Sequence, residues 1–294
     1  MNDRKQRVID FYNQEAAGYI DQYRLPPFDQ EFYPANEIRL EIIVSRLKER
    51  GVTHVLDIGC GSAGPLVRFL REGWDARGFD FAPEMVRAAR EVLAREGLDP
   101  ERVRVGDLER LETLPSERFD AVIATGVFPH NLDDPVAYRN LRILLKPGGV
   151  AFVEYRNALM ALFSLNQYSE SFFWHDLLRA DALPADLREA TRAMLAQKFD
   201  TPVASVGRPR AIEFTDILAR FHNPLTLESQ LSEHGLGLRR VHYYHFHCAP
   251  PALERTHTRA FRQASLGMER PDDWRGMFLA SAFVAEIEAA TATP

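Results

Sequence analysis

Residues 55–65, VLDIGCGSAGP, place Gly59, Gly61 and Gly64 in the spacing of a loop whose N–H groups and helix N-terminus can approach a pyrophosphate. A nicotinamide dinucleotide is one ligand this spacing admits. Asp57, two positions before the first glycine, argues the other way. A carboxylate beside that loop repels phosphate and suits a ligand with a cationic group. Asp80 follows Gly59 by 21 positions, where an acid is expected to hydrogen-bond a pair of ribose hydroxyls. It supports a nucleoside ligand without choosing between a dinucleotide and another adenosine compound. Asp107, at the end of a later apolar run, is placed to accept from an adenine amino group.

The chain has nine histidines, the natural proton acceptors near neutral pH. His130 follows the fourth apolar run and reads either as a catalytic base or as a loop or helix-cap residue. In LRRVHYYHFH a period of two puts His245 and His247 on one face with Tyr243, and His242 on the other with Tyr244 and Phe246. That strand either looks into a substrate cleft or is half-buried structure. His245 and His247 also have the spacing of two metal ligands. A third ligand is not evident, and Cys248 falls on the opposite face, so no metal is expected. Arg156 reads as a clamp for a substrate carboxylate or phosphate, or as the partner of Glu154 or Asp176. Tyr155, Asn157, Trp174, His222 and Tyr243 are candidate substrate contacts. The aromatic cluster 172–175 reads equally as core packing.

These residues need a frame. Strand and helix patterns alternate from about residue 50 to 155: THVLDI, ARGFDF, VRVGD, FDAVIAT and GGVAFVEY as strands, with helical stripes between them. The strand interiors AVIA and VAFV are apolar on both faces, which predicts a parallel sheet covered on both sides. Ligands then bind at the carboxyl ends of the strands, so Asp57, Asp80, Asp107, Thr125 and Tyr155 are expected to converge on one cleft. Residues 156–223 turn mainly helical and read as an insertion over the mouth of the sheet. A helix at 227–234, the strand LRRVHYYHFH and a last strand in MFLASAFVAEIE follow.

Together VLDIGCGSAG, GFDFAPEMV, VGDLERL, FDAVIATGVFPH and LKPGGV, in this order and spacing, resemble the class I S-adenosylmethionine-dependent methyltransferases over roughly residues 50–157. The resemblance implies a Rossmann-like, doubly wound α/β fold: a mostly parallel seven-stranded sheet with an N-terminal helical cap and a helical lid after the fifth strand. The corresponding divisions are 1–50 for the cap, 51–155 for the cofactor-binding core, 156–223 for the lid and 224–294 for the rest of the core. It implies that Asp57, Gly59 and Gly61 hold the methionine part of S-adenosylmethionine, with Cys60 as a small filler in the same loop. Asp80 would bind the ribose, Phe81 would lie against adenine, Asp107 and Leu108 would meet the adenine edge, and Thr125 would present backbone near the sulfonium. Tyr12, Tyr19 and Arg24, on a leading helix at 11–24, become candidate cofactor or substrate contacts. The family often has a serine after the Asp-Phe pair; here it is Ala82, and Pro83 keeps the helix start plausible.

The totals bound the function. An apolar share of 46% supports a packed core, and a net charge of −6 makes nucleic acid a poor partner. No apolar run has the length of a signal peptide or a membrane span, so the expectation is a cytoplasmic monomer or homodimer, with no membrane partner. The expected activity is methyl transfer to the oxygen or nitrogen of a small polar metabolite, such as a sugar, a modified amino acid or a secondary metabolite. Two alternatives stand beside it: a nicotinamide-dependent oxidoreductase, and a non-catalytic partner subunit that binds S-adenosylmethionine.

Overall fold

The computed structural model describes residues 3–22, 33–178, 180–201 and 220–289. Seven strands, β1 (His54–Ile58), β2 (Asp75–Asp80), β3 (Val103–Val105), β4 (Phe119–Ala124), β5 (Leu145–Arg156), β6 (Leu236–Phe246) and β7 (Ala280–Ala289), form one sheet in the order β3-β2-β1-β4-β5-β7-β6. Pairings among β1 to β5 are parallel, and β7 runs antiparallel to both neighbours, β5 and β6. The strand order reverses between β1 and β4, and a doubly wound sheet opens its ligand crevice at such a point.

Two apolar layers explain the both-face burial of the central strands. On one side α2 (Ala35–Arg50) buries Leu40, Ile43, Val44 and Leu47, and α4 (Pro83–Arg95) packs Val86, Ala89 and Leu93. They join Leu66 and Phe69 of α3 (Gly64–Arg71) against Val55, Ala121, Ile123 and Phe152. On the other side α5 (Asp134–Leu144) sets Tyr138, Leu141 and Leu144 against Leu56, Val122, Val153 and Phe283. Helix α1 (Asp3–Gln22) crosses α4, packing Ala16 on Ala82, Met85 and Ala88. No helix among the described residues is long and apolar enough to cross a membrane.

Two local expectations need correction. His245 adopts φ 60°, the left-handed region. That interrupts the alternation, so Phe246 packs in the same core layer as Tyr243, while Tyr244 packs in the opposite one. The last strand also starts later than the apolar run: Gly276–Leu279 is a short helix, and β7 begins at Ala280. Gly276 has no room for a side chain, because a Cβ there would lie 2.3 Å from Tyr243 Cβ. Within the insertion the described part is helical, its longest piece being Ala185–Lys198.

Charge enters the sheet at Glu286, which is 1% exposed on β7. Burial alone would raise its pKa. Hydrogen bonds from His242, Arg46 and Arg50 outweigh burial and hold it well below the ordinary value. A group with a depressed folded pKa stabilises above its unfolded pKa, here 4.5, and that contribution fades as pH falls through the folded value. Glu286→Gln should therefore cost about 3 kcal/mol at pH 7, with the gap to the parent protein narrowing below the ordinary glutamate pKa. Denaturant unfolding of both proteins at neutral and acidic pH checks this; a gap independent of pH would contradict it.

Candidate functional site

Strand β1 delivers the chain to Gly59, at φ +64°, whose missing side chain matters because a Cβ would sit 2.6 Å from Val127 Cγ2. The following loop directs its N–H groups inward. Cys60 N–H donates to Phe79 O at 3.1 Å, and Gly61 N–H donates to Asp80 Oδ2 at 3.0 Å. Asp80 Oδ1 accepts from Ala82 N–H at 2.9 Å, and in place of a serine cap it is Asn13 Oδ1 of α1 that accepts the Glu84 N–H, at 3.2 Å, in the first turn of α4. A loop whose amides already serve Phe79 and Asp80 has little left for a pyrophosphate.

An inner cavity opens above this loop. Its wall includes Gly59, Cys60, Gly61, Asp80, Phe81, Asp107, Leu108 and Thr125, all expected from the sequence, together with His130 and Arg156. Asp57 lies beneath the loop at 1% exposure, and neither of its carboxylate oxygens has a hydrogen-bond partner. Burial, reinforced by the Asp80 charge and opposed by Arg39, pushes its pKa up to about 8. Burial likewise pushes Asp80 up to about 6 against the pull of its backbone donors.

Helix α1 closes one side. Lys5 Nζ reaches Asp107 at 2.6 Å and Glu109 at 2.7 Å, and Tyr12 OH lies 2.9 Å from His130 Nε2. Tyr12 also packs edge-on against Phe81. Arg39, from α2, pairs with the buried Glu154 of β5. Burial would raise Glu154, but Arg39, Arg156 and donors on Tyr244 and Gly126 keep it a carboxylate. Sequence reading missed Lys5, Arg39 and Glu109. Glu154 carried a signal, a lone acid in the apolar run VAFVEY.

A second, outer cavity of about 1070 Å³ adjoins the first, and Arg156 lines both. It is at the large end of ligand pockets. His222, His245 and His247 line it with Tyr138, Tyr168 and Phe172. The two stacked histidines, 5.0 Å apart, are held neutral. Burial, and then the His247 and Arg156 charges, drive His245 well below its ordinary value, and burial takes His247 to about 4. The four residues read as catalytic thus divide: His130 inner, His245 and His247 outer, Arg156 shared.

Several substrate candidates sit elsewhere than expected. Tyr155 is fully buried against Phe128 and Phe283, and Tyr243 belongs to the same core layer; neither lines a cavity. Trp174 packs under Arg192, 5.5 Å from its ring, and lines neither cavity. Asn157 reaches the outer wall, but its amide donates to Met277 O at 2.9 Å and Ala280 O at 2.8 Å and accepts from Leu159 N–H at 3.1 Å, so it splices β5 to the C-terminal segment. The side chain of Tyr19, and Arg24 entirely, lie outside the described residues. Among the described residues no cluster of three or more ligating side chains could hold a metal.

The model of a methyltransferase domain matches residues 55–149. A ubiquinone biosynthesis O-methyltransferase of Xanthomonas axonopodis pv. citri (strain 306) is 35% identical over 130 residues, 44% of this chain and 54% of that protein. The chain thus spans about half the length of that relative. One of the same name from Xanthomonas oryzae pv. oryzae (strain PXO99A) is 34% identical over 165 residues, 52% of this chain and 68% of the relative. Among solved structures, magnesium protoporphyrin IX methyltransferase from Synechocystis PCC 6803, with bound S-adenosylhomocysteine, shares the fold. Its TM-score is 0.56 at 12% identity, covering 97% of this chain and all of that one (100%).

The chain belongs to the class I S-adenosylmethionine-dependent methyltransferase family, with S-adenosylmethionine as its cofactor. The nicotinamide alternative falls with that assignment. The residues present fit the cofactor: the unpartnered Asp57 carboxyl and the neighbouring acids suit its positive charges, and Asp80 suits its ribose. Because Asp57 is largely protonated near neutral pH and an arriving ammonium favours its ionised form, binding should release a proton. Titration with S-adenosylhomocysteine at pH 7 in buffers of different ionisation enthalpy should show that release, with affinity rising from pH 6 to about 7.5. Equal heats in all buffers would contradict it.

Proposed function

We propose that the protein transfers the methyl group of S-adenosylmethionine to a hydroxyl oxygen of a flat, aromatic small molecule held in the outer cavity. The observation that carries this reading is Arg156: its residue lines both the acid-rich cofactor cavity and the outer one, so the acceptor would meet the cofactor there. The aromatic walls of the outer cavity, with Tyr138, Tyr168, Phe172 and Phe221, favour a ring over a sugar. The names of the relatives, which are O-methyltransferases, favour oxygen over nitrogen.

When bound, the cofactor supplies an electrophilic methyl. The chain's own part is placement, which can contribute much of the rate of a direct displacement. Asp80 and the loop at 59–61 fix the nucleoside end. Arg156 favours an acceptor oxygen that carries negative charge, and the neutral His245 and His247 orient polar substituents without adding charge. The described helical pieces between Ala158 and Lys198 act as the lid that excludes water. Offered a phenol and the matching aniline, the enzyme should methylate the phenol oxygen, as read by mass spectrometry of the product. Methylation of the aniline nitrogen alone would overturn the choice of acceptor. Cofactor binding without transfer to any hydroxylated ring would favour the partner-subunit alternative.

A further inference from the structure

A hydroxyl acceptor must lose a proton, and the base that takes it becomes an imidazolium in need of a counter-charge. In the wall of the outer cavity the structure pairs a histidine with a carboxylate. His222 Nε2 lies 2.9 Å from Asp134 Oδ2, both residues are more than nine-tenths buried, and both line the outer cavity. A carboxylate partner makes Nε2 the protonated nitrogen and leaves the lone pair on Nδ1. Nδ1 is buried in this wall and has no partner.

The supports around the pair are specific. His222 N–H donates to Arg156 O at 2.8 Å, and its carbonyl accepts from Ala158 N–H at 2.9 Å, which fixes it at the end of β5. Its ring lies 4.5 Å from that of Tyr155. Asp134 sits in the first turn of α5, where the helix dipole favours an anion, and Arg220 Nη1 approaches it at 3.3 Å. The rival histidines are less suited: burial holds His245 and His247 below the ordinary histidine value and so weakens them as bases, and His130 already meets Tyr12.

We propose that His222, oriented by Asp134, is the general base for the acceptor hydroxyl. The hydroxyl proton passes to His222 Nδ1 as the oxygen's electron pair forms the bond to the methyl carbon. The carbon–sulfur bond breaks, its electron pair stays on sulfur, and S-adenosylhomocysteine leaves as a neutral thioether. Asp134 holds the imidazolium and is a positioning residue. This inference rests on the hydroxyl-methylation reading above.

The test uses the full chain, its Asp134→Asn and His222→Gln variants, and catechol, 3,4-dihydroxybenzoate and 4-hydroxybenzoate as probes. Both variants should bind S-adenosylhomocysteine as the parent does and keep the acceptor KM, while kcat falls on the order of 100-fold. Nitrogen NMR of histidine-labelled protein at pH 7, assigned with His222→Gln, should show Nδ1 of His222 unprotonated, and Asp134→Asn should move the proton onto it. Variants that keep kcat within about fivefold, or a parent protein with the proton on Nδ1, would overturn the dyad. The NMR result on the parent decides the matter even if Asp134→Asn fails to fold, and His222→Asn serves for the assignment should His222→Gln not fold. A parent that binds S-adenosylhomocysteine yet methylates none of the three probes overturns the hydroxyl-methylation reading itself.

Discussion

One buried carboxylate organises the cofactor end of this molecule. Asp80 takes an N–H from Gly61 on one oxygen and an N–H from Ala82 on the other. It thereby ties the turn after β1 to the end of β2 and to Ala82, the residue that leads into α4. Burial works against its charge, and the two backbone donors work for it. The glycine loop is consequently drawn inward and does not present its amides to a phosphate. Asp107 and Glu154, with Lys5 of α1 and Arg39 of α2 that meet them, line the crevice above the loop, and Asp57 lies buried beneath it.

The two cavities divide the chemistry. The inner one is acid-rich, with its acids met by Lys5 and Arg39 on helices that arrive from the N-terminal segment. The outer one is wider and more aromatic, and its histidines come from segments far apart in the chain. Arg156 stands in both, at the point where β5 ends and the helical insertion begins.

Most of the sheet was legible in the sequence because strands covered on both faces are written as short apolar runs. The glycines and acids at their ends could be placed by spacing alone. What escaped depends on contacts between distant segments. Lys5 and Glu109 meet only because α1 lies across the cavity, and Asp134 meets His222 across 88 positions. Asn157 looked like a substrate contact, yet its amide is occupied by carbonyls at 277 and 280. The strand carrying the histidines broke its period at His245, where the left-handed backbone re-aimed Phe246, something that a two-residue pattern cannot encode.

The glycine loop, pulled inward by Asp80, suits an adenosine ligand without phosphates. The direct measurement is calorimetric titration of the protein and its Asp80→Asn variant with S-adenosylhomocysteine and with NAD. S-adenosylhomocysteine should bind the parent protein and NAD should not. The variant, losing the charge that anchors the loop through the Gly61 N–H, should bind S-adenosylhomocysteine at least about tenfold more weakly. NAD binding of comparable strength, or a variant with unchanged affinity, would contradict the account.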